Sequence, residues 1–480
     1  MKNPKYPFLQ SFKINTALSP EEQARDMLAT ITAVTLPSRI RRAQLEMAAR
    51  GGPWPFALRA GMSDSISSYW TLCTQSSTSS HAIHIWTADI PLPEEHNSAT
   101  TSGNSCVVDI VALLALAELD ILEVLTTFDR VIISLGTTRE IDRELNDILK
   151  TPHPLANKIS TWLASNKGRV RVRHDTDLAH SDLGDEIEKS IILTSVMPSY
   201  RQILGFGIGE SLSLASSQKI ALHSDDVFTR YAARNEGATK TFSTISLLAA
   251  LRGKSRILLV DETKLLSRMI RLNFRIVPFE SFHLSCALEG LMKSLGARAP
   301  NVEDMLGDET LGPLLRQFGE SSLDASILYQ IATEWWLTII EKEFSPEIVE
   351  ASMSHPFYAL SSRTAGGVLK GLAKDEPLHR GSALLALFLF KTILRDRKLV
   401  PKAWSAAKAC CYQHCQDEKS YKETIGSGIP FHLVRGIEKL AIADDQKTQM
   451  IIAFTEALPD EDTTAVEAYI VQRLKPSFLK

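Results

Sequence analysis

The stretch SCVVDIVALLALA, residues 105–117, decides how this chain is read. Cys106, Val107 and Val108 form a short apolar run that ends on Asp109, and the apolar segment 110–117 follows at once. A carboxylate between a buried strand and an apolar segment stands at the carboxyl edge of a parallel sheet, which is where α/β folds place their ligands. A second apolar strand, RVIIS, runs from Arg130 to Ser134, and TTREIDREL after it puts Glu140 in the first turn of a helix. A third, KIALHSDD from Lys219, ends on the pair Asp225 and Asp226. The acids therefore recur at the ends of strands.

Carboxylates brought within about 4 Å of one another repel by roughly 4 kcal/mol per pair at an effective dielectric near 20. Such a group calls for positive charge, and Mg2+ or Mn2+ is the natural counterion. Hard cations of this kind acidify bound water and stabilise in-line phosphoryl displacement, so the expected chemistry is phosphodiester hydrolysis.

The succession of strand and Asp, then strand, helix and Glu, then SDDVFTRYAARNEGATKTFST resembles the PIN domain, the fold of metal-dependent ribonucleases that includes many prokaryotic toxin nucleases. The resemblance spans residues 101–280. It implies that Asp109, Glu140 and Asp226 hold the metal, with Asp225 as an additional ligand, in a cytoplasmic enzyme acting on single-stranded RNA in a toxin or defence setting. Where toxin-type members carry a fourth acid after the last short strand, this chain has Ser243 and Thr244. A hydroxyl is a weaker ligand, so Thr244 is expected to orient water or phosphate. The missing acid also fits a second reading, a non-cleaving PIN-like binding or regulatory protein that acts through its C-terminal helices. The doubled Asp followed by Arg230 resembles PIN-like modules of larger bacterial proteins.

Each acid has a blander reading. Asp226 can N-cap a helix starting at Val227, Thr138 can cap the helix that bears Glu140, and Glu144 lies one turn from Glu140 on the same face. Candidate substrate contacts are Arg230 and the stripe Lys264, Arg268 and Arg271, which recurs every three to four residues while Leu265, Leu266, Met269 and Ile270 turn inward. A solvated amphipathic helix explains that stripe as well.

Around this core, 480 residues with 44% apolar and 23% charged content suit a globular protein of two to three domains. The expected fold class is α/β: a mainly helical segment over 1–100, a PIN-like parallel sheet flanked by helices over 101–280, and an all-α domain over 281–480. A net charge of −3 excludes a global field that draws nucleic acid. Six scattered cysteines form no secreted-type disulfide framework, the N-terminus does not read as a signal peptide, and no apolar run approaches the roughly 20 residues needed to cross a bilayer.

Local signals fill in the rest. Helices are expected from Ser19 and Pro20 and after Pro37, the latter bearing Arg39, Arg41, Arg42 and Arg50, with residues 94–103 as a linker. The middle should hold helices over 156–165 and 183–197 and a strand whose Arg169, Arg171 and Arg173 share one face. Residues 205–211 are glycine-rich but lack dinucleotide-loop spacing, and read as a turn. Residues 274–279 should complete the sheet, at an edge because of Pro278. Beyond Ser281 the apolar spacing is helical, and a protein partner is possible there; of Trp335 and Trp336, one can be core and the other a partner contact, or both core. Cys410, Cys411, His414 and Cys415 lack the second ligand pair of a zinc site. No Ser-His-Asp signature, phosphate-binding Walker loop or HExxH motif occurs.

Overall fold

The computed structural model describes residues 2–3, 6–10, 19, 56–57, 66–75, 83–85, 92–101, 105–146, 153–174, 204, 206–238, 240–319, 324–342, 344–362, 377–415, 417–459, 462–463, 466–467 and 470. At its centre is a five-stranded sheet of β1 (Ser105–Val108), β2 (Arg130–Ser134), β3 (Val170–Arg173), β4 (Ala221–His223) and β5 (Thr241–Phe242). All neighbouring pairs are parallel, in the spatial order β3-β2-β1-β4-β5. The chain builds outward from β1 in one direction and then returns to build in the other. The crevice between β1 and β4 is thus a topological switch point, the place where open α/β sheets bind ligands.

Helices flank the sheet as an α/β fold requires: α1 (Leu92–Thr101), α2 (Ile110–Glu118), α3 (Leu135–Asn146), α4 (Pro154–Ser165), α5 (Phe206–Gln218), α6 (Val227–Asn235), α7 (Thr244–Gly253) and α8 (Leu259–Arg271). Every residue of α2 from Ile110 to Ala117 is buried, which explains its unbroken apolar sequence. α5 crosses the sheet, packing on α3 and against β1, β2 and β4.

Three local expectations are corrected. Residues 94–101 are no linker: α1 occupies Leu92–Thr101 and packs on α7, with Glu95 fully buried; residues 102–103 lie outside the described residues. Residues 206–211 of the glycine-rich segment are no turn but the start of α5. Phe274–Arg275 does not join the main sheet; it pairs in parallel with Ile83–His84 in a separate two-stranded sheet. The first two cases show polar and glycine-rich sequence drawn into helices by contacts remote in the chain. In the third, a distant strand offers a partner that local sequence cannot reveal.

The N-terminal segment contributes a small antiparallel pair, Lys2–Asn3 with Tyr6–Gln10, and a helix at Ile66–Gln75. The helices expected from Ser19, after Pro37 and over 183–197 lie outside the described residues. From Ser281 onward the described residues are helical, beginning with Ser281–Leu295 and including Ala325–Glu341, Pro346–Ser362, Pro377–Arg395 and Val400–His414. Their apolar faces continue the core of the sheet region without a break, through Leu266 and Met269 of α8 and Leu284 and Leu288 of the next helix. Trp335 and Trp336 are both fully buried. Among the described residues, no helix is long and apolar enough to cross a membrane.

Candidate functional site

Strand register brings the acids to one edge. Val107 pairs with Ile132 and Val108 with His223, so the next residues, Asp109, Ser134 and Ser224, form a row across β1, β2 and β4. One step on, Asp225 and Asp226 leave β4 beside Asp109, near enough for their charges to act on it.

Each of these carboxylates sits at a helix start. Asp109 caps α2, with Oδ1 accepting from Ala112 N at 2.8 Å. Asp226 caps α6, with Oδ1 accepting from Thr229 N at 2.8 Å and Oδ2 from Ala57 N at 3.1 Å. Asp225 is clasped by Thr244, whose N–H reaches Oδ1 at 2.7 Å and whose hydroxyl donates to Oδ2 at 2.5 Å. The capping reading thus holds for Asp226, and Asp109 proves to be a cap as well, because short acidic side chains satisfy the free N–H groups of a first turn. It does not hold for Thr138, which lies inside α3 and donates to Leu135 O.

Capping does not settle the charge. All three aspartates are fully buried, and burial pushes Asp109 up to about 7 and Asp225 up to about 6 against the hydrogen bonds that favour their ionised forms. Asp226 is raised by burial as well. Beneath them Arg230 is fully buried, its Nε 2.7 Å from Glu95 Oε1 and its Nη1 donating to Ser224 O. Glu95 also accepts from the hydroxyls of Ser243 and Ser246. His223 adds no positive charge, since burial, and then Arg230, lower it to about 3. The Arg230 guanidinium thus pairs with Glu95 and acts on Asp225 and Asp226, and among the described residues the Oδ2 of Asp109 has no hydrogen-bond partner.

Glu140 stands apart from this group. Its Oε1 accepts from Gly207 N at 3.3 Å at the start of α5, and its Oε2 is buried without a partner. Burial raises it to about 7, and its nearest charges are Arg143 and Glu144 rather than the aspartates. Among the described residues, no three acidic, histidine or cysteine side chains stand close enough together to hold a metal ion.

The expected substrate contacts are placed elsewhere. Arg230 is an internal counterion with no exposed surface. Arg268 donates to Glu118 O and Leu119 O, the C-terminal carbonyls of α2, and so lies at the opposite end of the helix that Asp109 caps. A nine-residue helix sets these ends roughly 13 Å apart. Arg271 reaches Glu309 at 3.6 Å, and Lys264 is exposed one turn before Arg268. Thr244 holds Asp225 and is itself in contact with His223 Nε2 at 3.0 Å. Of the edge-strand arginines, Arg171 and Arg173 are exposed, while Arg169 bonds Phe128 O.

The same edge holds residues that sequence reading passed over. Glu210 of α5 is fully buried, accepts from Gly136 N and lies 2.8 Å from His174 Nδ1. Below it Ser134, Thr137 and Ser211 share hydroxyl contacts around Gly207 O. Glu210 is the one charge in the helix FGIGESLSLASSQ, a signal visible in the sequence. Glu95 carried no such signal, as its partner is 135 residues away.

Comparisons with protein-family models, curated proteins and solved structures gave no match.

Proposed function

We propose that the carboxyl edge at the β1–β4 crevice is the active site of a PIN-like, divalent-cation-dependent ribonuclease, working in the cytoplasm on single-stranded RNA. One observation carries this reading: among the described residues, Asp109 presents a buried, unpartnered Oδ2 beside Asp225 and Asp226, while the buried Arg230 is already paired with Glu95. A buried carboxylate group with this excess of negative charge is unfavourable unless it takes up protons or a cation. The donor chemistry suits Mg2+ or Mn2+, which bind through oxygen. Asp109 would hold the ion first, and Asp225 and Asp226 retain lone pairs beyond the bonds they already accept; Glu140, held at the start of α5 apart from the aspartates, is not part of this set. Bound there, the ion would acidify a water and neutralise charge on a phosphoryl oxygen. The chain's own part is to fix these oxygens: helix N-termini hold Asp109 and Asp226, and Thr244 holds Asp225 in a fully buried frame.

A second reading, a non-cleaving binding or regulatory protein, is favoured by the fact that both oxygens of Asp225 and of Asp226 already accept hydrogen bonds. The two separate on one assay. With Mn2+ the ribonuclease cuts single-stranded RNA, and Asp109→Asn abolishes cutting while the variant stays folded by circular dichroism. Undiminished cutting by that variant rules out the assignment, and no cutting by the wild-type chain favours the binding reading.

A further inference from the structure

The cysteines at the end of the helix Val400–His414 take no part in the edge described above. Cys411 is almost fully buried in the last turn of that helix, and Cys415, its C-cap, is half-buried. Their Sγ atoms are 3.5 Å apart, in direct contact. The Cys415 N–H still bonds Cys411 O at 3.0 Å, so its Cα keeps the helical position. Four residues of helix set the two Cα atoms roughly 6 Å apart, and disulfides take Cα separations of about 4.4–6.8 Å. To bond, the sulfurs must close by about 1.5 Å. That movement falls on Cys415, where a ψ of 136° takes the chain out of the helix, and not on the buried Cys411. Cys410 is fully buried and lies about 100° round the helix from Cys411.

We infer that Cys411 and Cys415 are a reversible thiol–disulfide couple, an oxidative modification site that reacts with low-molecular-weight disulfides, independently of the ribonuclease reading. The Cys415 thiolate attacks one sulfur of such a disulfide, whose S–S bond breaks and whose other half leaves as a thiolate. The mixed disulfide then stands against Cys411. The Cys411 thiol gives its proton to solvent and its sulfur attacks the Cys415 sulfur, so the second half leaves. Each departing thiolate takes up a proton. Two protein thiols are thereby oxidised to one disulfide, and one small disulfide is reduced to two thiols. Exposure sets the order: Cys415 meets solvent, whereas burial, and then the neighbouring Cys415, push the Cys411 thiol up and make it the poorer first nucleophile. In a reducing compartment a pair of this kind is transient and redox-responsive, not a structural staple.

The test treats the reduced, folded full chain with oxidised glutathione, alkylates the remaining thiols and maps the tryptic peptide 409–419, which carries Cys410, Cys411 and Cys415. That peptide should bear one alkyl group in place of three and no glutathione, and dithiothreitol should restore all three. Its mass spectrum should show no fragment ions from breaks between Cys411 and Cys415. Cys411→Ala should leave glutathione trapped on Cys415, and Cys410→Ala should form the disulfide as the wild type does. Retention of all three thiols by the folded wild-type chain would overturn the inference, as would a disulfide that uses Cys410. The wild-type peptide alone decides between these outcomes, so a variant that fails to fold does not remove the test.

Discussion

Arg230 and Glu95 form an ion pair of 2.7 Å in which neither side chain has any exposed surface. It joins α6 to α1 across 135 residues of sequence and anchors the hydroxyls of Ser243 and Ser246 at the start of α7. Removing one partner strands the other charge in the interior. Arg230→Ala should therefore lower unfolding stability by about 3–5 kcal/mol, read as a shift of the urea midpoint followed by tryptophan fluorescence. Replacing both residues with methionine should restore part of that loss, because the stranded charge is then gone. A loss below about 1 kcal/mol, the range of exposed pairs, would contradict the buried hub.

Gly207 and Glu140 make a second long-range contact that can be tested. A Cβ on Gly207 would lie 2.7 Å from Glu140 Oε2, so alanine there must displace the carboxylate. Inside a helix, Gly→Ala ordinarily stabilises by up to about 1 kcal/mol. Here Gly207→Ala should instead be neutral or destabilising, and the double variant with Glu140→Ala should recover about 1 kcal/mol relative to it. A plain gain in thermal midpoint from Gly207→Ala alone would show that Glu140 does not occupy this place.

These contacts explain what the sequence can and cannot disclose. The strands SCVV, RVIIS, VRVR and ALH are legible because each is a short apolar or alternating run. The helical character beyond Ser281 is legible from its apolar period. The acids at strand ends are legible as residues but not as roles, since capping and metal binding call for the same short carboxylate. Asp226 does cap a helix, and whether it does anything more depends on neighbours from other strands. Residues 94–103 look like a linker because Asn97, Ser98 and Thr100 favour turns, yet α1 is held by Glu95 through a distant arginine. Gly207 looks like a hinge until Glu140 is seen beside it. Arg268 appears to be part of a surface stripe, and only the fold reveals that it caps the carboxyl end of α2.

Trp335 and Trp336 follow one another on a helix, and both are fully buried. Trp336 stacks on Phe388 with ring centroids 5.2 Å apart and donates to Thr392 Oγ1 at 3.1 Å. Either Trp→Ala change should cost about 3–5 kcal/mol, and Trp336→Phe about 1 kcal/mol for the lost hydrogen bond, in the same urea titration. If one of the two alanine variants keeps wild-type stability, that tryptophan is a surface residue.

Stability should respond to pH through the buried acids, in a direction opposite to that of salt-bridged carboxylates. Burial raises Asp109 and Glu140 to about 7 and Asp225 to about 6, whereas the ordinary values are 3.8 for aspartate and 4.5 for glutamate. Between these limits the folded chain binds more protons than the unfolded one, so unfolding free energy falls as pH rises. The penalty is absent below about pH 4 and complete above about pH 7. For Asp109 alone, the shift corresponds to roughly 4 kcal/mol at most. Metal-free protein should therefore show a falling urea midpoint between about pH 5 and pH 8. Asp109→Asn keeps the capping oxygen and removes the titration, so it should flatten that slope and raise stability at the alkaline end. Mn2+ should raise the wild-type midpoint most at the alkaline end, where the carboxylates are ionised. A slope of the opposite sign, or one that Asp109→Asn leaves unchanged, would mean that Asp109 is not the strained carboxylate of this edge.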